Sequence, residues 1–348
     1  MISKMKNITF MAAVAATFMA FSCRGTLGTD NPSGTVRLTV DLPGLVDCET
    51  RVTGQTESSE TAISNCQVFV FRTDNGKLDA CSYEASLQKN GQYSVSLDCT
   101  VGERRIYAVV NAPADYTSTI RDEAALKALT TDLKDNAPNA LLMIGSATST
   151  LTEGACGVSV SVKRAAASII LQKISVDMDA PAYRGAGLFT VERIYLLNVC
   201  GRTNLALDMQ PSDVPAEFWY SKLQEETDAE KKKLIADDLA TALTINNGGS
   251  SDVQYSFYAY PNSCPHSVSS SFTPRATLLV VEARLDGEKY YYPFQFDSLR
   301  SNSRYIITNL TVHRPGSSSP YEPVLFSAAS ANVTVAGWED GASRNVEI

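Results

Sequence analysis

Hydrophobic and polar residues alternate with a period of two along much of the chain. From Thr35 to Leu42 the residues Val36, Leu38, Val40 and Leu42 face one way and Thr35, Arg37, Thr39 and Asp41 the other. That pattern predicts a half-buried strand, stopped by Pro43-Gly44. Residues 50–64 are polar and irregular and predict an exposed loop open to proteases. Cys66-Gln67-Val68-Phe69-Val70-Phe71 is a nearly continuous apolar run, expected as a central strand, and Asn75-Gly76 is a hairpin signal. Further strands are expected over 92–97, 105–110 and 158–162. Ala125, Leu126, Leu129 and Leu133 recur at helical spacing and predict a short helix over 122–133.

The second half repeats this grammar. Strands are expected over 168–176 and 189–199. Thr227 followed by Glu230 fits a capping box, and Leu234, Ile235, Leu239 and Leu243 follow at helical spacing, predicting a helix from 228 to about 242. Residues 246–251 are expected as a flexible loop. Strands resume over 255–260, 277–285, 289–296 and 305–312, with Asp286-Gly287 as a hairpin turn. A loop over 315–323 precedes a last strand over 332–336, Trp338 and a polar tail. Many short strands with two helices predict a mainly β chain of two β-sandwich domains, divided near residues 160–165.

The N-terminus changes the picture. Lys4 and Lys6 precede an apolar stretch over 8–21, too short to span a bilayer comfortably and of signal-peptide length. It ends in Ala20-Phe21-Ser22-Cys23, small residues before a single Cys, as in a bacterial lipobox. The expected organisation is a lipoprotein signal over 1–22, an N-terminal β-sandwich over 23–162 and a C-terminal one over 163–348, tethered to the outer membrane through a lipid on Cys23. An ordinary secretory signal with a chance Cys is the alternative. Loss of Lys4 and Lys6 takes the net charge from −8 to −10. No basic surplus or stripe supports nucleic-acid binding. Seven cysteines follow Cys23 at wide spacings with no C-x-x-C pair, as expected of small core residues; one bridge among Cys48, Cys66, Cys81 and Cys99 stays open.

Catalytic signatures are missing: no G-x-S-x-G, H-E-x-x-H, Walker A or G-x-G-x-x-G occurs. With only His266 and His313, neither a His-rich metal site nor His-based acid–base catalysis is expected. Asp177-Met178-Asp179 and Asp237-Asp238 are expected as solvated acids, and Tyr290-Tyr291-Tyr292 as a strand alternating its contacts between two faces rather than a sugar platform. No enzyme activity, cofactor or metal is expected.

Several segments, in order, resemble the fimbrillins, the type V pilus subunits of Bacteroidales. They are the lipobox at Cys23, Val68-Phe69-Val70-Phe71, Tyr107-Ala108-Val109-Val110-Asn111-Ala112, Met143-Ile144-Gly145, Val160-Ser161-Val162-Lys163-Arg164-Ala165 and Ile194-Tyr195-Leu196-Leu197-Asn198. The strongest block is Phe257-Tyr258-Ala259-Tyr260-Pro261-Asn262, followed by Pro274-Arg275-Ala276-Thr277-Leu278, Tyr291-Tyr292-Pro293, Tyr305-Ile306-Ile307 and Val333-Thr334-Val335 with Trp338. The resemblance implies two transthyretin-like β-sandwich domains and assembly by strand exchange. A lipidated precursor is cut by an Arg-specific protease in a loop after the first strand, that strand leaves, and its groove accepts a strand from the C-terminal region of a neighbouring pilus subunit. Of Arg24, Arg37, Arg51 and Arg72, only Arg51 falls in the predicted loop after the first strand, so it is the expected cut site; an ordinary solvated Arg is the alternative. The exchangeable strand is then the one carrying Val36, Leu38, Val40 and Leu42. The function expected is that of a surface pilus subunit contributing to adhesion, with a host or bacterial surface receptor as partner. The few aliphatic residues after Trp338 tilt this towards a tip or accessory role. The competing reading is a non-polymerising surface lipoprotein that binds host glycan or protein.

Overall fold

The computed structural model describes residues 34–43, 63–85, 87, 93–222, 226–264 and 272–324, and the backbone of 334–337 and 344–347. The first nine strands are β1 (Thr35–Leu42), β2 (Cys66–Arg72), β3 (Leu78–Glu84), β4 (Tyr93–Thr100), β5 (Gly102–Val110), β6 (Thr130–Asp132), β7 (Met143–Leu151), β8 (Gly154–Ser159) and β9 (Lys163–Arg164). They form a three-stranded sheet in the order β4-β1-β8 and a five-stranded sheet in the order β3-β2-β5-β7-β9, with β6 outside both. An apolar layer joins the facing sides: Val36, Leu38, Val40 and Leu42 from β1 meet Val68, Val70, Ile106, Ala108 and Val110 from β2 and β5. β2 reads as an unbroken apolar run because both its faces are covered. Its Phe69 and Phe71 point away from that layer, packing with Tyr107, Leu126 and Leu133 in a larger cluster that continues among the C-terminal strands.

The C-terminal strands are β10 (Ala167–Val176), β11 (Phe189–Leu197), β12 (Val199–Cys200), β13 (Arg202–Asn204), β14 (Trp219–Tyr220), β15 (Ala236–Ile245), β16 (Gly249–Ala259), β17 (Asn262–Ser263), β18 (Thr277–Leu285), β19 (Glu288–Phe296), β20 (Ser298–Leu299), β21 (Ser303–Val312), β22 (Thr334–Gly337) and β23 (Arg344–Glu347). Two sheets dominate: β16-β10-β21-β22, with β23 also on β21, and β15-β11-β18-β19. The large cluster takes Ile169, Leu171 and Ile307 from the first sheet and Val191, Ile194 and Val281 from the second. Among the described residues the chain is therefore mainly β, with two short α-helices, α1 (Glu123–Ala128) and α2 (Ala229–Lys232).

Both helices are shorter than their periodicity predicts. In α1 the Asp122 carboxylate accepts from the Ala125 N–H, but the helix ends at Leu129, whose backbone is extended. Thr130–Asp132 instead pairs with Arg202–Asn204, and Arg202 grips Asp132 with two hydrogen bonds of 2.6 and 3.0 Å. The helix expected over 228–242 is one turn long. It is capped by Asp228 rather than Thr227, and Ala236–Ile245 is a strand antiparallel to β11. Leu239 and Leu243, four residues apart, suit one face of a strand as well as a helix; the available edge of β11 and the β-branched Thr241, Thr244 and Ile245 favour the strand. The loop expected over 246–251 is a tight corner between sheets, with Gly248 at φ +73° and β16 starting at Gly249.

β3 completes the hairpin signalled by Asn75-Gly76, whereas β7 and β23 carry no strong apolar period and give no sequence signal. β7 alternates small polar residues on a half-exposed face, and its Gly145 lies so close to the Ser161 backbone that any Cβ would collide with it. The backbone of β23 runs parallel to β21, beyond the stretch that pairs with β22.

Glu123 shows how the fold treats a covered acid. Burial raises its pKa, but hydrogen bonds from Lys127, Arg105 and Tyr107 outweigh that and hold it at about 2. A depressed carboxylate stabilises the fold above its unfolded pKa and loses that contribution as pH falls through its folded value. Stability should therefore fall by about 3 kcal/mol between roughly pH 4.5 and 2 on account of this group. Urea titrations over that range should show a shallower acid limb for Glu123→Gln than for the parent.

Candidate functional site: the first strand and its groove

β1 is first in sequence among the described strands yet central in its sheet. It runs antiparallel to β4, with Val36 opposite Cys99, Leu38 opposite Leu97, Val40 opposite Val95 and Leu42 opposite Tyr93. On its other side it runs parallel to β8, with Val36 opposite Gly154, Leu38 opposite Cys156 and Val40 opposite Val158. Val36, Leu38 and Val40 are fully buried and Leu42 is 2 % exposed. Four such side chains contribute roughly 6–12 kcal/mol of apolar burial. The alternation predicted from sequence thus places all four candidate residues on one buried face.

The opposite face is polar. The Arg37 guanidinium donates to Asp98 Oδ1 at 3.0 Å, and the Thr39 and Ser96 hydroxyls are hydrogen-bonded at 3.1 Å. The ends of the strand are tied by Val101 N–H to Gly34 C=O and by Val160 N–H to Asp41 C=O.

The walls of this slot have their own supports. Asp79 on β3 accepts from the Thr100 N–H at 2.9 Å, the Thr100 hydroxyl at 2.7 Å and Arg104 Nε at 2.9 Å. Arg104 also donates to Thr100 Oγ1 and to the Val101 carbonyl, each at 2.6 Å. The two charged side chains are only 4 and 7 % exposed. This network pins the end of β4 to the facing sheet without using any atom of β1. Cys99 and Cys156 flank β1 from either side, and burial, with Asp79 nearby, pushes the Cys99 thiol up to about 11.

Other candidates scatter. Cys23, Cys48, Arg51 and His266 lie outside the described residues. Cys66, Cys81, Cys99, Cys156, Cys200 and Cys264 are all free thiols, so none of the described cysteines forms the bridge left open by the sequence. His313 donates from Nδ1 to the Asp177 carbonyl at 2.7 Å, a satisfied strand-end histidine. Asp179 pairs with Arg314 at 3.3 Å, and Asp238 with Arg193 at 2.8 Å and Lys232 at 2.5 Å. Among the described residues no group of three His, Cys, Asp or Glu is arranged to hold a metal.

Tyr292 is buried edge-on against Phe189, while Tyr291 turns to the outer face of its sheet. There it lines a cavity of about 190 Å³ with Tyr195, Glu282, Lys289 and Tyr321. Glu282 is buried, accepting from Lys289 at 2.5 Å and from the Tyr195 hydroxyl at 3.4 Å. The sequence signalled neither this cluster nor the Asp79–Arg104 network, because both join residues that only strand pairing brings together.

Known proteins share the fold that holds this strand. The family model of the major fimbrial subunit protein (FimA) matches residues 35–164, the stretch that begins with β1 and ends with β9. A cell adhesion protein of Bacteroides eggerthii shares the fold with a TM-score of 0.63 at 21 % identity, covering 92 % of this chain and 100 % of that one. A fimbrilin of Porphyromonas gingivalis matches with a TM-score of 0.57 at 17 % identity, covering 90 % of this chain and 97 % of that one. The tip fimbrial protein Mfa3 of Porphyromonas gingivalis matches with a TM-score of 0.51 at 13 % identity, covering 87 % and 100 %. No curated protein matches the chain. The chain thus has the fold of the fimbrial subunits and cell-adhesion proteins of Bacteroidales. Its likeness to the fimbrillins holds in sequence over 35–164 and in fold over most of its length.

Two substitutions test the slot. Leu38→Ala should cost about 2–5 kcal/mol, the range for a deleted buried leucine. Asp79→Asn should cost about 3 kcal/mol by leaving Arg104 buried without its countercharge. Both values are read from urea unfolding at neutral pH, and losses below about 1 kcal/mol would remove the corresponding account.

Proposed function

We propose that this chain is the lipidated precursor of a cell-surface pilus subunit that assembles by strand exchange and contributes to adhesion. Cys23 carries the lipid that anchors the precursor to the outer membrane. An Arg-specific protease cuts after Arg51, between β1 and β2. β1 then leaves, and a strand from another pilus subunit enters between β4 and β8. The exchanging unit is the N-terminal domain, 23–162, and 163–348 forms the second. A receptor on host or bacterial surfaces is the partner of the assembled fibre.

The observation that carries this reading is the position of β1. Its only chain connection to the other described strands is through residues 43–65, so one cut there leaves it held to them by pairing and burial alone. Its departure exposes two unpaired strand edges beside an apolar slot, a combination that favours addition of another strand.

Arg-specific proteolysis of the folded precursor should cut first after Arg51. The cut protein should keep its folded core while losing thermal stability once β1 is removed, and a peptide of Thr35–Leu42 should restore that stability. Cys99 should then gain reactivity towards a thiol reagent, read at its own peptide by mass spectrometry. Arg51→Ala should resist the cut and stay monomeric. If Arg51→Ala enters fibres as readily as the parent, β1 is a fixed strand and the chain is a non-polymerising surface binder.

The anchor is tested separately. Cys23→Ser should abolish incorporation of a labelled fatty acid and release the precursor from the membrane fraction. Unchanged labelling would remove the lipoprotein assignment.

A further inference from the structure

We infer that the slot filled by β1 selects its occupant by register and by charge. It fits an incoming strand with the side-chain pattern of β1 better than either of this chain's own C-terminal strands. The inference rests on the strand-exchange reading and names the kind of partner that reading requires.

The buried face sets the register. Its four positions are bounded by side chains of graded size on β8, from Gly154 through Cys156 to Val158, and by Cys99, Leu97, Val95 and Tyr93 on β4. Slippage by one residue would turn polar side chains into the core. Slippage by two would keep the faces but leave one inward position empty.

The polar face discriminates further, and only from one side. β8 presents Ala155, Gly157 and Ser159 outward, with nothing within 4 Å of a Cβ built on Gly157. β4 presents Asp98 and Ser96, which meet Arg37 and Thr39. The fitting occupant runs in the direction of β1. It carries aliphatic residues at four alternate positions, a cation between the first two, and a hydroxyl between the second and third.

This chain's C-terminal segments meet that pattern only at the hydroxyl, which Thr334 supplies. In the best frame residues 331–337 offer Ala331, Val333, Val335 and Gly337, seven fewer side-chain carbons than Val36, Leu38, Val40 and Leu42. Asn332 falls where the cation is needed. Residues 344–348 supply only Val346 and Ile348 as aliphatic residues. The backbones of β22 and β23 instead pair with β21.

The test uses the full chain with a specific protease site engineered within residues 44–62 and cut, so that every residue is retained. Entry of a fluorescent Thr35–Leu42 peptide in place of β1 is followed by anisotropy. An Arg37→Glu version of the peptide should enter with three- to tenfold lower affinity, and Asp98→Arg in the protein should restore it. A peptide of residues 331–338 should bind at least a hundredfold more weakly than Thr35–Leu42. Equal affinities for the parent and Arg37→Glu peptides, or effective competition by the 331–338 peptide, overturn the selectivity and leave strand exchange standing. Failure of Thr35–Leu42 itself to enter overturns both.

Discussion

The N-terminal part of this protein depends on one strand being central. β1 brings four aliphatic side chains to the middle of a layer between two sheets and hydrogen-bonds to a neighbour on each side. An edge strand could leave with little effect on the rest. A central one closes both the apolar layer and two backbone ladders, so its presence decides whether β4 and β8 belong to the same sheet. That makes β1 a large, separable contribution to stability.

The rest of the N-terminal structure is arranged so that this contribution is local. β2 is sandwiched between the β1 layer and the larger cluster, with Val68 and Val70 on one side and Phe69 and Phe71 on the other. The five-stranded sheet is thereby held from its far face as well. The Asp79–Thr100–Arg104 network fixes the end of β4 from β3. A buried ion pair is a weak source of net stability, but it is a strong positional restraint when each charged atom has a partner. Here it places one wall of the slot independently of what fills it.

Covered charge follows one rule across the molecule. Asp79, Glu123 and Glu282 each accept from donors on other strands: Asp79 from Arg104, Glu123 from Arg105 and Tyr107 beside Lys127 of its own helix, and Glu282 from Tyr195 and Lys289. The aromatic side chains do comparable work in the C-terminal sheets, where Phe189 meets Tyr292, and Phe296 packs edge-on against Phe294 and Tyr305. Cross-strand anchors of these kinds resist the sliding of one strand past another.

How much of this was legible beforehand depended on range. The alternation over Thr35–Leu42 determined a strand and its buried face, because side-chain direction along a strand is a local property. The unbroken run of β2 and the turn at Asp286-Gly287 were equally readable, and the order of weak motifs pointed to the fimbrillin likeness. Beyond the hairpins at Asn75-Gly76 and Asp286-Gly287, pairing was not readable. Nothing local to Gly154–Ser159 says that it lies parallel to β1, and nothing in Thr130–Asp132 says that it pairs with Arg202–Asn204. The residues over 236–245 carry spacing compatible with helix or strand, and the edge of β11 chose the strand. The sequence by itself determined which residues would be buried where the period was clean, as in Thr35–Leu42. The tertiary structure decided which stretches meet, since hydrogen bonds and packing between strands reward contacts that no local period encodes.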